Sequence, residues 1–197
     1  MIHKLQLRNC NEFLLLDDFD FKRVRNAKWY LFNRNGYKYA SAQVRLLNNE
    51  ILKPLTFSQI AKIRRPKKGR RFLKENIYSE DQPLITVFLH RFILNAPKGL
   101  EVDHINGNGL DNRRKNIRLC TKKENMQNRR ISINNTSGYK GVYYHKSDKR
   151  KKRWTVFIRT DDNRKFIGRF LTALDAAKAY NEAATKYHGE FARLNTL

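Results

Sequence analysis

The chain has 197 residues, 40% of them hydrophobic and 12% aromatic, which excludes a disordered basic tail and allows one large or two small domains. Against 18 Asp and Glu it carries 42 Lys and Arg, giving a formal net charge of +24 and a pI near 10.3. A surplus of that size calls for a polyanionic partner, because a merely solubilising surface so charged repels itself, whereas neutralised phosphates release condensed counterions.

The two cysteines, Cys10 and Cys120, lack the spacing of a zinc site or a disulfide framework. The N-terminal "MIHKLQLRNCNEFLLLDD" has too short an apolar run for a leader or an anchor, and no stretch reaches the length of a membrane span, so an intracellular protein is expected. The "NNTS" match to a glycosylation sequon is then coincidental.

Along the chain three regions and a linker are expected. Residues 1–85 form a β-rich region, in which "KWYLF" and "GYKYASAQVRLL" read as strands around the turn signal "NRNG". Residues 55–63, "LTFSQIAKI", have weak helical character and run into the basic loop "RRPKKGRR" (64–71), which suits either solvent or phosphate. In 86–130 the apolar "TVFLHRFIL" and the turn "APKG" precede two short strands, "LEVD" and "NIRLC", joined by a Gly/Asn-rich loop. Thr121-Lys-Lys-Glu124 is a capping box, which starts a helix at about Lys122 that runs to about Arg130. Residues 131–138, "ISINNTSG", read as a linker.

Residues 139–197 are the most regular. "GVYYH", "RWTVFIR" and "RKFIGRF" read as three strands, with Trp154, Val156 and Ile158 on one face and Thr155, Phe157 and Arg159 on the other. Thr172 caps a helix over "ALDAAKAYNEAATKYH", with Asp175 in its first turn and Gly189 past its end. Ala176, Tyr180, Ala183 and Tyr187 form one stripe, and the alanines let the helix approach a sheet closely. The fold class is therefore α+β.

The chemistry concentrates in "EVDHINGNGLDNRRKN". Asp103 and His104 are adjacent, so in an ideal strand they point to opposite faces and can serve one site only if the strand ends there. Asn125 lies in the first turn of the capped helix, which can pack across the hairpin. A carboxylate and an amide oxygen are hard ligands that suit Mg²⁺, and a neutral histidine beside them can take a proton from water. Residue types alone also allow a solvated Asn/Gly hairpin. A calcium loop is excluded, since Ile105 and Gly107 stand where oxygen ligands belong.

The run "LHRFIL…GLEVDHINGNGLDNRRKNIRLCTKKENMQN" resembles the HNH endonucleases, especially the intron-associated and free-standing enzymes of phages. The resemblance implies a ββα-metal fold with one divalent ion, Mg²⁺ with Mn²⁺ able to substitute. It makes Asp103 and Asn125 metal ligands, His104 the general base, and Asn116 the residue that holds the loop and orients the base. His90 matches the "LHR" histidine, either at phosphate or as a structural residue. The segment "DDFDFKRVRNAKWYLFNRNGYKYA" is similar to what precedes this motif in phage members, and residues 48–80 look like an insertion.

Residues 137–195 resemble a second family, the DNA-binding domain of plant ethylene-response (APETALA-type) factors, through "G-V", "W", "IGRF", the "AA-AY" helix and the "A-LN" ending. That likeness implies a three-stranded sheet laid in the major groove with a helix behind it. The contact positions map onto Lys140, Tyr143, His145, Phe157, Arg159, Arg164 and Phe166. Several differ in type from the plant residues, so the plant target sequence does not carry over.

Together these resemblances imply a metal-dependent, homing-type endonuclease that acts on double-stranded DNA. It would work as a monomer that nicks one strand per encounter, with no membrane and no obligatory protein partner, in the cytoplasm of a phage-infected bacterium. A non-catalytic DNA-binding regulator on the same scaffold, and an RNA-binding or packaging protein, are the alternatives from other classes.

Overall fold

The computed structural model describes residues 1–34, 36–45, 84–147, 149–160 and 163–197. The expected helical and basic stretches at 55–71 and the insertion at 48–80 lie outside them. The chain forms two compact units, Met1–Leu119 and Cys120–Leu197, and mixes helix with antiparallel sheet as the α+β expectation requires.

The first unit opens with a hairpin of β1 (Ile2–Gln6) and β2 (Phe13–Asp17), in register from Ile2 opposite Asp17 to Gln6 opposite Phe13. The apolar run too short for a leader is thus a strand, and its alternation buries Leu14 and Leu16 completely. It passes directly into α1 (Asp18–Val24), whose end is fixed by the Trp29 indole donating to the Val24 carbonyl at 3.1 Å. A three-stranded sheet follows, with β3 (Tyr30–Arg34), β4 (Tyr37–Arg45) and β5 (Leu84–Phe88) in that order. The apolar segment at 86–94 divides, because after Phe88 it turns into the short helix α2 (Leu89–Ile93). β6 (Glu101–His104) and β7 (Ile117–Cys120) then pair as a hairpin.

One hydrophobic core joins these pieces. Leu14, Leu16, Val24, Trp29, Ala40 and Ala42 from the N-terminal region pack with Leu89, Ile93, Val102, Leu110 and Ile117 from the motif region. The hairpin that carries Asp103 and His104 therefore has no core of its own and borrows one from residues 1–45.

The second unit begins at the capping box. Thr121 accepts from the Glu124 N–H, and Glu124 accepts the Thr121 N–H at 2.7 Å, opening α3 (Lys122–Gln127). The helix stops three residues short of the expected Arg130, at the C-cap Asn128. There the Lys140 ammonium donates to the carbonyls of Gln127 and Arg129, supplying the cation that a helix C-terminus favours. The linker is organised by Asn135, whose Oδ1 accepts the N–H groups of Ser137 (3.0 Å) and Gly138 (2.8 Å).

Strands β8 (Val142–Tyr144), β9 (Trp154–Arg159) and β10 (Arg164–Phe170) form an antiparallel sheet with β9 central. Helix α4 (Ala173–His188) packs on it, capped by Thr172 accepting from the Asp175 N–H at 3.1 Å. Val142, Val156 and Ile158 meet Ala176, Ala177, Tyr180, Ala183 and Ala184, as the strand alternation and the alanine stripe require. Tyr187 packs against the edge of this core. It is only partly buried, with its hydroxyl taken by Lys165, and His188 is the buried residue at that end, 2.7 Å from the Arg159 carbonyl. Gly141, at φ 75°, is required by close approach: a Cβ there would overlap the Tyr180 ring and lie 2.9 Å from the Phe157 carbonyl.

Candidate active site

β6 ends at His104, and the chain turns at once: the Gly107 N–H donates to the His104 carbonyl at 2.7 Å, with Gly107 at φ 73°. That early end lets two neighbouring polar side chains both be buried, Asp103 at 4% and His104 at 5% exposure. Each has a partner. Arg118 on β7 donates Nε (3.0 Å) and Nη2 (2.8 Å) to Oδ2 of Asp103, so the buried carboxylate is charge-compensated. His104 Nε2 lies 3.4 Å from Oδ1 of Asn112, which is itself wholly buried.

The loop between the strands is tied by Asn116. Its Nδ2 donates to the Asp111 carbonyl (2.8 Å) and to Oδ1 of Asn106 (3.1 Å), while its Oδ1 accepts the Asn106 N–H (3.0 Å). Its main-chain carbonyl accepts from Ile105 at 2.8 Å. Asp111 adds a second knot, accepting Asn106 Nδ2 (2.9 Å) and the Nε (2.7 Å) and Nη2 (2.6 Å) of Arg113. Burial alone pushes the Asp111 carboxyl up, but Arg113 on both oxygens holds it below the usual carboxylate range. Asn116 thus ties the loop together, and Asn112 reaches the histidine ring.

Three sets of contacts among the described residues seat this loop on the N-terminal region. The Leu15 N–H donates to the Leu110 carbonyl and the Asn112 N–H to the Leu15 carbonyl, both at 2.9 Å, so residues 110–112 run parallel along β2. Arg114 donates to both oxygens of the fully buried Asp20, at 2.7 and 3.0 Å, and its N–H to Asp17 at 2.8 Å, while Arg23 completes the Asp20 pair. Gly109 lies so close to β4 that a Cβ would overlap the Lys38 carbonyl oxygen and meet the Tyr39 ring at 2.8 Å.

His90, from α2, stands edge-on to His104 with ring centroids 5.2 Å apart, and Tyr39 and Phe88 flank it at 5.3 and 5.7 Å. Its Nδ1 is buried without a partner among the described residues. Burial, then the neighbouring His104 and Arg91, pushes His90 down to about 3. Burial also lowers His104, and the Asn112 bond with the carboxylates of Asp103 and Asp111 only partly opposes it. Both rings are therefore neutral at pH 7. Asn125 sits half-buried in the first turn of α3, its N–H on the Thr121 carbonyl.

The second set of expected contact residues lies on the sheet of the second unit, opposite α4. Tyr143, Phe157 and Phe166 are neighbours there, with centroid separations of 6.0 and 5.6 Å, and the Arg164 guanidinium lies 3.9 Å from the Phe157 centroid and 4.8 Å from Tyr143. Arg159 pairs in register with Arg164 and is exposed, as is His145. Lys140 stands apart from this face: its ammonium is committed to the α3 carbonyls, and burial, then Arg193 and Arg129, lowers it to about 8.

Sequence reasoning missed Asn112, Asp111, Arg114 and Arg118. The one available signal was Leu110, an apolar residue within an otherwise polar loop, which marks a loop that docks on a core.

Comparison with known proteins places a family match on this hairpin. Residues 95–127 match the HNH endonuclease family. Protein 3.8 of Escherichia phage T7 is 35% identical over 97 residues, covering 49% of this chain and 77% of that protein. No solved structure matches the chain. The chain belongs to the family of phage T7 protein 3.8 and carries, across β6, the clamped loop, β7 and α3, an HNH endonuclease domain.

Proposed function

We propose that the protein is a divalent-metal-dependent endonuclease that hydrolyses phosphodiester bonds of double-stranded DNA. The observation that carries this reading is the end of β6, where a compensated carboxylate, Asp103, and a neutral imidazole, His104, are buried side by side on a clamped loop. In this reading His104 takes the proton of the water that attacks phosphorus, and its depressed basicity keeps it in the proton-accepting form at neutral pH.

The donor set suits a hard ion. Among the described residues no group of three or more His, Cys, Asp or Glu gathers to form a closed metal cage. One carboxylate is what Mg²⁺ needs, since it keeps most of its waters and takes one or two carboxylates plus substrate oxygens. Asp103 would hold it, with Asn125 as the second ligand that the HNH motif assigns and Mn²⁺ as a substitute. When bound, such an ion stabilises the charge on the phosphate and on the leaving oxygen.

The aromatic and arginine face of the β8–β10 sheet would grip the duplex, as the resemblance to ethylene-response factors implies. Arg164, stacked on Phe157 and Tyr143, and the exposed Arg159 supply cations there, and the +24 charge supplies sequence-independent attraction. A single motif implies one strand cut per encounter by a monomer. No helix among the described residues is long and apolar enough to cross a membrane. The proposed setting is the cytoplasm of a phage-infected bacterium.

Supercoiled plasmid incubated with Mg²⁺ tests the reading. Relaxed circles that disappear with chelator and with His104→Ala are expected. Tight DNA binding with no nicking across several divalent metals would overturn the enzyme and favour a non-catalytic DNA-binding regulator.

A further inference from the structure

We infer that Tyr143, Phe157 and Phe166 read thymine: they form an apolar ridge on the β8–β10 sheet that packs against thymine C5-methyl groups in the major groove of the duplex. This rests on the reading of that face as the duplex grip, and adds which base the grip selects and through which atoms.

The face is defined first by what it lacks. Strands β8, β9 and β10 contain no Asp, Glu, Asn or Gln. In the major groove adenine is read by a side-chain amide, cytosine by a carboxylate and guanine by Arg or Lys. These strands can therefore offer guanine an arginine, but they hold neither an amide for adenine nor a carboxylate for cytosine. Thr155, whose hydroxyl could serve several bases, is 2% exposed and out of reach.

What the face has instead is aromatic surface that the fold does not use. Tyr143 and Phe166 are 45% and 52% exposed, and neither they nor Phe157 belong to the core that α4 completes. Phe166 stands opposite Phe157 in register on β10, and Tyr143 on β8 lies 6.0 Å from the same ring, so the three cross the whole sheet. The rings are tilted by 70° and 60° against one another, and the Arg164 guanidinium covers Phe157 at 3.9 Å. Unpaired bases stack on open ring faces, so a tilted and partly capped cluster of this kind is a ridge and not a stacking platform.

A ridge of that kind has one match on duplex DNA. The thymine methyl is the apolar group on the base edges of the major groove, which at about 12 Å wide admits a two-stranded ribbon such as β9–β10. Charge settles the class of occupant. Arg159 and Arg164 face each other in register at the end of the ridge, and the strands carry no carboxylate to offset them. An apolar protein surface seated there would bury those cations unpaired, whereas phosphates flanking the groove neutralise them.

The test uses the full-length protein without divalent metal and with chelator, so that the DNA stays intact. The tightest duplexes are selected from a random-sequence pool and resynthesised with deoxyuridine for thymidine, which removes only the C5-methyl. Affinity should fall by about fourfold for each methyl buried, the factor that one buried CH₂-sized group supplies. In the double variant Tyr143→Ala, Phe166→Ala the thymine-to-uracil affinity ratio should approach one. A ratio that persists there overturns the inference, because the methyls are then read elsewhere. Should the double variant not fold, Phe166→Ala, which truncates the most exposed of the three rings, should reduce the ratio, and an unchanged ratio overturns the inference. Tighter binding to the single strand than to the duplex also overturns it, in favour of base stacking. Equally tight binding to the thymine and uracil duplexes overturns the methyl reading and leaves the duplex grip standing, whereas no tight binding to either sinks both.

Discussion

His90→Phe should make the first unit more resistant to acid. His90 is packed against Phe88, Tyr39 and His104, and its Nδ1 is buried without a partner among the described residues, so an aromatic hydrocarbon of similar size suits the place. In the folded chain its pKa is lowered from 6.5 to about 3, chiefly by burial. Between those two values the unfolded chain binds a proton that the folded chain does not. The stability is therefore fully present above pH 6.5 and is lost as pH falls toward 3. At pH 5 the unfolded histidine is about 1.5 units below its own pKa, and at 1.36 kcal/mol per unit the loss is about 2 kcal/mol. His104 adds a further loss of the same sign, which the substitution leaves in place. Urea unfolding followed by the fluorescence of the buried Trp29, in a Trp154→Phe background, isolates the first unit. Wild type and His90→Phe should agree to within about 1.5 kcal/mol at pH 7. On going to pH 5 the variant should gain about 2 kcal/mol relative to the wild type. Parallel pH dependences would refute the claim that burial keeps His90 neutral.

Other perturbations test the scaffold and the sheet. Arg118→Ala leaves the Asp103 carboxylate buried without its cation and should cost about 3–5 kcal/mol by urea unfolding, whereas a loss under 1 kcal/mol would show the pair to be solvated. Gly109→Ala should lower stability by about 1–3 kcal/mol, because the new methyl overlaps the Lys38 carbonyl and the loop must lift from β4; an unchanged urea midpoint would contradict that close approach. Arg164→Ala removes the cation stacked on Phe157 and Tyr143. It should weaken duplex binding and reduce the slope of log affinity against log salt by about 1, and an unaltered slope would mean that this face does not touch phosphate.

The parts of the molecule legible beforehand are those whose causes are local. Thr121 and Glu124, or Thr172 and Asp175, stand three residues apart and satisfy each other within one helical turn, so a cap can be read without knowing the fold. Alternation places Val156 and Ile158 against Tyr180 and the alanines of α4 because a strand has period two wherever it lies. The same local logic requires β6 to stop at His104 if Asp103 and His104 share a site, and it does stop there. It places Tyr187 against the core but does not reach His188, which is buried at the end of α4 by meeting the Arg159 carbonyl.

From sequence alone follow the expectation of a polyanionic partner, through the +24 charge, and two candidate residues, Asp103 and His104, through their types and adjacency, while Asn116 is singled out only by the resemblance to the HNH family. Tertiary structure decided how those residues are held. Arg114 meets Asp20 across 94 positions of sequence, Asn112 is set by the carbonyl of Leu15, Gly109 yields to β4, and His90 turns edge-on to His104. Periodicity and capping describe neighbours a few residues apart, whereas these partners become neighbours only when the core of the first unit closes. The residue types therefore reside in the local motif, and their positions are set by contacts made between distant segments.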